Sequence, residues 1–563
     1  MAEHRAARWW SRWWPGRSPA VDVAPTTDSE EYGRWWLQFG EDSPRHLHNA
    51  LVAYSTWDRT TRVQVLLVDA GGADVSARRQ TEESVACQIV PPLAVHEPDS
   101  PQAGPRELTC QDWLALVDVG DRLHPLALYW ATQVARASPE SCLIYADHDE
   151  ALGGGGARRP VVKPDWDEEL ALGWPPFLEG LVLVRGDCWR GQPAGPGWAR
   201  DVAVSLARAH GPTSIAHLAR IACHRPARLP VSTTGRGRER AATSAIGPRA
   251  PEDPPSVSIL IPTRDRLDLL KPCVESVLSR TRYSRFELVV IDNDSTDGAT
   301  LDYLARLERG DSSAAPAVTV RVLRLPGLFN FSRLNNRAVA SCQTDLMVLL
   351  NNDIEVVDWH WLGALVEQAA RPDVGAVGAK LLYPDNRIQH AGVVWRLAGV
   401  AGHAFCGSPN EGPVHEFASL RRQVIAVSGA CLAVRRSVYL EVGGLDEEHL
   451  AISYNDVDFC LRLHAKGYRN LYEPRAVLIH RESASRGSDR QPDLRGRAVA
   501  EMNCILSRWS SVLPADPFYS PLWSLDPPGF QLAWPPRVVA RSGLSVGALG
   551  RSRPGVAASR GVS

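Results

Sequence analysis

Three segments combine carboxylates, amides and an imidazole in a pattern suited to metal-assisted group transfer. Asn351-Asn352-Asp353 follows an apolar run. This segment is either a turn or a site where a carboxylate holds a divalent cation against a diphosphate, because hard cations prefer oxygen ligands. Asp456 opens a helical pattern, where it caps the helix, acts as a general base, or does both. His480 closes another apolar run and is either a core residue or a ligand of the same metal as Asp353.

The elements that must position these residues alternate between strand and helix patterns. Apolar runs at 257–261, 286–291 and 346–350 are each followed by polar residues, and helical spacing separates them. This alternation predicts βαβ units and a largely parallel sheet. Ligands bind beyond the carboxyl ends of such strands, so Asp292 and Asp294 are expected beside residues 351–353.

The first half of the chain contains a weaker echo of this pattern, interpreted as a tandem duplication with a shortened first copy; a chance match is the alternative. The matched segments are 65–71 with 289–293, 113–121 with 346–353, and 221–225 with 478–481.

The composition of the chain limits which classes of protein it can belong to. The chain has 563 residues with 62 basic and 64 acidic side chains, and this balance argues against a nucleic-acid partner. Its 11 cysteines contain no Cys-x-x-Cys pair, which favours a reduced, cytoplasmic protein, and no apolar run is long enough to span a membrane. The oligomeric state has no signal in the sequence.

The N-terminus is rich in tryptophan and arginine. This composition suits peripheral association with the inner face of the plasma membrane, and the alternative is a packed or disordered arm. Pro15 favours the arm, because it ends any helix early. The tryptophans concerned are Trp9, Trp10, Trp13 and Trp14.

The ordered motifs between Val257 and Gly487 resemble the family 2 glycosyltransferases of the GT-A fold, and most of all the rhamnosyltransferase-like enzymes of bacterial surface polysaccharide synthesis. The motifs that carry this resemblance are Ile261-Pro262-Thr263-Arg264-Asp265-Arg266, Val290-Ile291-Asp292-Asn293-Asp294, Asn330-Phe331-Ser332-Arg333-Leu334-Asn335-Asn336, Leu350-Asn351-Asn352-Asp353, Ile388-Gln389-His390-Ala391-Gly392, Ser428-Gly429-Ala430, Gly443-Gly444-Leu445-Asp446, Asn455-Asp456-Val457-Asp458 and the segment around His480.

The resemblance implies a role for each matching position. Asp353 would be the metal ligand, His480 a further metal ligand, and Asp456 the catalytic base. The metal would be Mn²⁺ or Mg²⁺. The positions implied to bind the nucleotide sugar are Pro262, Thr263, Asp265, Asp292, Asp294, Asn336, Asn351, Asn352, Gly429 and Arg486.

The chain departs from the family pattern at two positions. Asn351 replaces the first aspartate of the Asp-x-Asp motif, which removes one charge, and Asn455 replaces the glutamate of a Glu-Asp pair. The Gln-x-x-Arg-Trp motif of processive members is absent, which argues against a processive synthase.

The resemblance also implies a domain plan. It comprises a Trp/Arg-rich arm (1–48), a degenerate GT-A-like domain (49–231), a linker (232–255), a catalytic GT-A domain (256–515) and a mobile C-terminal tail (516–563). The degenerate domain keeps Asp118, Asp121 and His224 as candidate metal ligands. It lacks a counterpart of the Asp456 motif and a clear first strand with a Pro-Thr turn, so we expect a non-catalytic, acceptor-binding module rather than a second active site. The linker is predicted from its small, charged and proline-rich residues.

The implied activity is an inverting, metal-dependent sugar transfer. The donor would be a UDP- or dTDP-sugar such as dTDP-rhamnose, and the acceptor a glycan or lipid-linked glycan of O-antigen-type polysaccharide. The alternative is an inactive carbohydrate-binding or scaffold protein of the same pathway. A sugar-nucleotide pyrophosphorylase is disfavoured, because the loop after the first strand of the second half lacks glycine.

Overall fold

The computed structural model describes residues 27–40, 44–56, 60–69, 74–96, 108–153, 156–189, 197–227, 254–310, 318–411, 416–481 and 492–537. These residues form two compact units. Unit 1 comprises the described residues up to 227 together with 519–522 and 532–537, and unit 2 comprises residues 254–518 and 523–531. None of the described helices is long and apolar enough to cross a membrane.

Unit 1 is one eight-stranded mixed sheet with flanking helices. Its strands are β1 (Arg62–Val68), β2 (Val95–His96), β3 (Asp112–Asp118), β4 (Arg122–Leu123), β5 (Leu143–Ala151), β6 (Arg158–Val161), β7 (Val182–Arg185) and β8 (Ile215–Arg225). Its α-helices are α1 (Thr27–Phe39), α2 (Pro44–Ser55), α3 (Val75–Ala86), α4 (Ala127–Ala137), α5 (Glu168–Gly173) and α6 (Trp198–His210). The strand order is β2-β1-β3-β7-β5-β8-β4, with β6 beside β5.

Unit 2 is built around a ten-stranded mixed sheet and has a separate two-stranded sheet, β16-β17. Its strands are β9 (Val257–Thr263), β10 (Phe286–Asp292), β11 (Thr319–Arg324), β12 (Leu346–Leu350), β13 (Ile354–Val356), β14 (Val374–Leu382), β15 (Ile388–His390), β16 (Val393–Trp395), β17 (Ala401–His403), β18 (Arg422–Gln423), β19 (Cys431–Arg435) and β20 (Arg469–His480). Its α-helices are α7 (Leu267–Ser279), α8 (Gly298–Glu308), α9 (Phe331–Ser341), α10 (Trp361–Ala369), α11 (Glu416–Ser419), α12 (Arg436–Glu441), α13 (Asn455–Ala465) and α14 (Pro492–Trp509).

The sheet of unit 2 has the order β11-β10-β9-β12-β19-β14-β20-β13. The first four strands are parallel, and β19 is antiparallel to both of its neighbours. Strand β12 is buried at all five positions because helices cover both faces of a parallel sheet. The parallel strands all end at one edge, and the polar segments predicted to bind ligand follow those ends. This is the GT-A fold predicted for the second half.

The two units repeat one strand pattern. Successive strand pairs along β1-β3-β7-β5-β8-β4 of unit 1 are parallel, antiparallel, antiparallel, parallel and antiparallel. The pairs along β9-β12-β19-β14-β20-β13 of unit 2 follow the same pattern. Strand β11 has no counterpart among the described residues of unit 1. The two units are thus copies of one architecture, the first of them shorter.

One of the predicted correspondences between the halves is wrong. Strand β1 pairs directly with β3, as β9 pairs with β12, so β1 occupies the place of the first strand and not that of β10. The place of β10 is taken by the two-residue strand β2. A first strand is therefore present in unit 1, although it ends without a Pro-Thr turn.

Two of the predicted segment assignments also need correction. The N-terminal arm predicted for 1–48 includes helix α1, whose Tyr32, Trp35 and Trp36 are buried in unit 1. Residues 516–537 are not a mobile tail, since the Asp516 carboxylate accepts the Trp395 N–H at 2.8 Å. In both segments, burial of aromatic side chains stabilises the packed state even though the composition is polar. Trp9, Trp10, Trp13 and Trp14, residues 232–253 of the linker and residues 538–563 lie outside the described residues.

Candidate active site

The candidate metal ligands are brought together by pairing between two strands. Ile354 lies opposite His480 in the antiparallel β13–β20 pair, and the Asp353 carbonyl accepts the Arg481 N–H at 3.0 Å. This register fixes Asp353 beside His480. The His480 Nε2 atom lies 3.0 Å from Asp353 Oδ1, and both side chains are buried.

The Asp353 carboxylate fits a cation. Its Oδ1 atom is buried and receives no hydrogen bond from the described residues, although it lies 3.0 Å from an imidazole nitrogen. The Asn351 Nδ2 atom lies 3.3 Å from the same nitrogen. A buried carboxylate oxygen without a donor is costly, and carboxylate ligands suit Mg²⁺ or Mn²⁺. The donor set therefore fits the divalent cation that the sequence predicts.

Asp456 lies in the first turn of α13 with both oxygens oriented by backbone groups. Its Oδ2 accepts the Gly429 N–H at 2.7 Å and its Oδ1 accepts the Val457 N–H at 2.8 Å. A Cβ added at Gly429 would lie 3.6 Å from Asp456 Oδ2, so glycine leaves one side of the carboxylate uncovered. Tyr454, at the helix N-cap, has a φ of 60°. Left-handed backbone at a non-glycine residue carries strain and often marks functional sites.

A short backbone path connects the predicted base, Asp456, to the candidate metal ligands. The Asn351 N–H donates to the Ala430 carbonyl at 3.0 Å, and Ala430 follows the Gly429 amide that binds Asp456. Asp353 is two residues after Asn351. The carboxylates of Asp353 and Asp456 therefore belong to adjacent segments at the same edge of the sheet.

The predicted nucleotide end of the site is held together by Asp265. Its Oδ1 accepts the N–H groups of Thr296 and Asp297 at 2.7 and 2.8 Å, and its own N–H donates to Ser295 Oγ at 2.8 Å. Asp292 Oδ1 accepts the Ser295 N–H at 3.1 Å. Asp265 thus joins the loops after β9 and β10, and its carboxylate already carries two backbone hydrogen bonds.

The remaining residues predicted at this end link the nucleotide loops to the metal ligands. Asn352 Nδ2 donates to Thr263 Oγ1 at 3.1 Å, which joins the loop after β12 to strand β9. Pro262 is buried in β9 opposite Ile291. Asp294 is exposed, has a φ of 58° and accepts the Gly327 N–H at 2.7 Å, which holds the loop after β11.

One predicted nucleotide-sugar ligand, Asn336, stands apart from this group. Both polar atoms of the Asn336 amide contact residues 439–447: Oδ1 accepts the Tyr439 hydroxyl at 2.6 Å and Nδ2 donates to the Leu445 carbonyl at 2.9 Å. The Asn336 side chain therefore holds the segment of residues 439–447. Arg486 lies outside the described residues.

The sequence interpretation missed the residues that hold the segment before Asp456. Glu501 of α14 accepts the N–H groups of Ile452 and Ser453 at 3.1 and 2.9 Å. Asp458 is buried and accepts from Arg508 at 2.7 Å and from Trp509 Nε1 at 2.9 Å. The helical pattern of 492–509 was a signal for a helix, but its docking partner is not encoded locally.

Unit 1 contains a counterpart of the metal pair, and an arginine contacts it. Asp121 directly precedes β4, and His224 lies in β8 opposite Arg122. In the same way, Asp353 directly precedes β13, and His480 lies in β20 opposite Ile354. Arg225 lies 3.1 Å from Asp118 and 3.4 Å from Asp121. A fixed guanidinium thus supplies positive charge where a cation would be needed.

His224 is paired with a buried carboxylate instead of a metal. His224 Nδ1 lies 3.0 Å from Asp149, whose pKa is held well below its usual range: burial raises it, but His224, Arg158 and a hydrogen bond from Tyr32 lower it more. The Trp36 ring packs edge-on to His224 at 5.1 Å between centroids. Helix α1 therefore covers this face of unit 1.

A second acidic group in unit 1 lies among cations. His148, Glu150 and Glu179 present ligand atoms within 4.8 Å of one another. Burial lowers the pKa of His148 to about 3, so its imidazole is neutral. Arg225 lies 3.7 Å from Glu179, and Lys163 Nζ donates to the Glu179 carbonyl at 2.7 Å. The Arg225 charge opposes a divalent cation here, and Lys163, whose pKa burial lowers to about 7, adds to this effect when it is protonated.

Comparison with known proteins adds the following. Residues 258–443 match the family described as Glycosyl transferase family 2, a match that ends before Asp456 and His480. The chain is 37% identical over 459 residues to uncharacterized protein y4gI of Sinorhizobium fredii, covering 75% of this chain and 50% of that protein. It is 31% identical over 535 residues to O-antigen biosynthesis protein RfbC of Myxococcus xanthus, covering 88% and 38%.

A shorter relative matches a smaller share of the chain. The N-acetylglucosaminyl-diphospho-decaprenol L-rhamnosyltransferase of Mycobacterium tuberculosis is 27% identical over 226 residues, covering 36% of this chain and 68% of that enzyme. The chain spans half or less of the length of the two longer relatives.

Proposed function

Because residues 258–443 belong to glycosyl transferase family 2, we propose that this chain transfers a sugar from a nucleoside diphosphate sugar to a hydroxyl of a glycan acceptor during polysaccharide synthesis. The observation that carries the proposal is the convergence of Asp353 Oδ1 and His480 Nε2 at 3.0 Å, with Asp456 on the adjoining segment. Unit 2 contains all of these residues, so the proposed activity is assigned to unit 2.

Asp353 and His480 would hold the divalent cation, with Asn351 beside them. When bound, Mg²⁺ or Mn²⁺ supplies Lewis acidity that neutralises the charge developing on the leaving diphosphate. The protein's own contribution is positional. Strand pairing sets the Asp353–His480 distance, and Asn352 ties their loop to the predicted nucleotide end through Thr263.

Asp456 is the proposed general base. It would accept the proton of the acceptor hydroxyl as that oxygen attacks the anomeric carbon, while the bond from that carbon to the diphosphate oxygen breaks. A single displacement of this kind inverts the anomeric centre. The hydrogen bonds from the Gly429 and Val457 amides fix the carboxylate and leave lone pairs on both oxygens for the incoming proton.

The proposed donor is a UDP- or dTDP-sugar, with dTDP-rhamnose the leading choice, and the acceptor is a glycan or lipid-linked glycan. Support comes from the relatives named for O-antigen synthesis and for L-rhamnosyl transfer. The cytoplasmic face of the membrane is the proposed place of action, because nucleotide sugars and lipid-linked acceptors meet there. An inactive scaffold of the same pathway is the alternative, and the asparagines at 351 and 455 favour it.

Donor hydrolysis by the purified full chain tests the proposal. A panel of UDP-, dTDP- and GDP-sugars with Mn²⁺ or Mg²⁺ is expected to give metal-dependent release of nucleoside diphosphate from one donor. Asp353→Ala should abolish release. Asp456→Asn should slow transfer to an acceptor by roughly 10²- to 10⁴-fold. Asp302→Ala, an exposed carboxylate on α8, is the matched control and should behave as wild type.

The scaffold alternative makes the opposite prediction. A folded chain that releases no diphosphate from any donor, and whose nucleotide binding does not depend on metal, would favour the scaffold over the transferase.

A further inference from the structure

The imidazole of His480 is contacted at both ring nitrogens. Nε2 lies 3.0 Å from Asp353 Oδ1 and 3.3 Å from Asn351 Nδ2. Nδ1, on the other side of the ring, lies 2.6 Å from Gln389 Oε1. The ring is therefore held between the metal ligands and a buried glutamine.

The two amide partners, Gln389 and Asn351, favour one tautomer. The Gln389 carbonyl oxygen can only accept, so Nδ1 must carry the proton. The Asn351 amide nitrogen can only donate, so Nε2 must offer its lone pair. Both amide contacts favour the tautomer with the proton on Nδ1, which turns the Nε2 lone pair towards Asp353 Oδ1 at 3.0 Å, and a cation between these two atoms would satisfy both of them. The neutral imidazole is the form in which histidine binds a metal.

Gln389 is itself fixed by its strand. It is the middle residue of β15, which pairs with β14, and its side chain is 2% exposed. Its backbone carbonyl lies 3.2 Å from His403 Nδ1. A buried amide on a paired strand loses little further freedom when it binds His480, so it can orient the imidazole before a cation arrives.

We propose that Gln389 is a positioning residue for the metal site: its Oε1 accepts the Nδ1–H of His480 and so presents Nε2 to the cation beside Asp353. This inference rests on the proposed metal-dependent transfer. It assigns to the Gln-His-Ala-Gly segment a task that the sequence motif alone does not state.

The experiment measures Mn²⁺ affinity of the full chain by electron paramagnetic resonance, without donor or acceptor. Gln389→Leu keeps the approximate shape and removes the acceptor, and it should weaken Mn²⁺ binding roughly 10- to 100-fold. Gln389→Glu restores an acceptor and should return the affinity to within a fewfold of wild type. Gln368→Leu removes another buried glutamine of unit 2 and should leave the affinity unchanged.

Thermal unfolding of each variant separates misfolding from a local effect. If Asp353→Ala binds Mn²⁺ as wild type does, the proposed metal site itself is wrong. If Asp353→Ala loses Mn²⁺ but a folded Gln389→Leu retains it, only the role of Gln389 is overturned. The role of Gln389 is also overturned if Gln389→Leu weakens Mn²⁺ binding and Gln389→Glu fails to restore it, because a general packing role would give that result.

Discussion

Asn351 shows how one amide can alter a metal site without removing it. Its side chain lies 3.3 Å from His480 Nε2, beside the Asp353 oxygen that has no donor. An amide oxygen can still coordinate a cation after rotation of the side chain, but it contributes no charge. The site therefore keeps its geometry while it holds one anionic ligand fewer than an Asp-x-Asp motif provides.

Asn351→Asp is expected to tighten Mn²⁺ binding by about tenfold, which corresponds to about 1.4 kcal/mol. The physical reason is the added carboxylate charge near the cation. The affinity is measured on the full chain without substrate. Asn352→Asp is the matched control, because its amide donates to Thr263 instead, and it should not tighten binding. Unchanged or weaker binding by Asn351→Asp would count against coordination at this position.

A second residue-scale effect concerns pH and belongs to unit 1. His217 is buried, with Nε2 2.9 Å from Asp147 and Nδ1 3.3 Å from Asp165. Burial alone lowers its pKa, but the charge of Asp147 and hydrogen bonds to Asp147 and Asp165 raise the pKa to about 9. The folded state therefore binds the proton more tightly than the unfolded state.

The resulting stability is fully present below pH 6.5 and is lost as the pH rises through about 9. The change is on the order of 3 kcal/mol in the free energy of unfolding. Denaturant unfolding of the full chain at pH 6 and pH 9.5 measures it, and His217→Gln should remove most of the difference. His210→Gln, at an exposed site on α6, should keep it. An equal loss in wild type and His217→Gln would contradict the assignment.

At the scale of elements, the position of Asp456 depends on helix α14. The Glu501 carboxylate accepts two backbone N–H groups from the segment before α13, and Arg508 donates to Asp458 within α13. Helix α14 lies beyond the residues that match the family. The proposed base and the helix that holds its segment therefore both lie outside the matched residues.

Glu501→Gln should therefore reduce transfer with little change in Mn²⁺ affinity. The amide replaces one acceptor oxygen by a donor, so one backbone N–H loses its partner and the segment shifts. A shift of about 1 Å at a reacting group costs roughly 10²-fold in rate. Steady-state transfer rates and Mn²⁺ affinity are measured for wild type and Glu501→Gln. The control is Glu308→Gln, at an exposed position on α8. Normal transfer by a folded Glu501→Gln would exclude this role.

The elements show which parts of the fold were predictable. The strands β9, β10 and β12 have apolar runs ended by polar residues, so their parallel pairing and the shared edge at which they end followed from the pattern, whereas the position of β9 between the other two did not. The two-residue strand β2 has no period to detect, and β1 was consequently matched to the wrong strand. Gln389 and Glu501 act through packing between distant segments, which local spacing cannot encode.

At the scale of the whole molecule, the chain carries two copies of one architecture with different charges at equivalent places. Unit 2 leaves the buried Asp353 oxygen without a donor, whereas unit 1 places Arg225 beside Asp118 and Asp121. Burial raises the pKa of Asp121 to about 7 even though Arg225 lowers it, which makes this carboxyl a poor anionic ligand at neutral pH. Asp456 is the second residue of α13 in unit 2, whereas the second residue of α6 in unit 1 is Ala199, which has no carboxylate.

Sugar transfer should consequently depend on unit 2 alone. Asp118→Asn removes a half-exposed carboxylate that is 3.1 Å from Arg225, and we expect transfer rates and Mn²⁺ affinity within about twofold of wild type, as is usual away from the reacting groups. Asp353→Asn, the same change at the equivalent edge of unit 2, should abolish metal-dependent release of diphosphate. Both variants are compared in one assay with a thermal-unfolding control. A large loss of activity in a folded Asp118→Asn would show that unit 1 takes part in the reaction, since an arginine-neutralised carboxylate with only a structural role would not slow turnover.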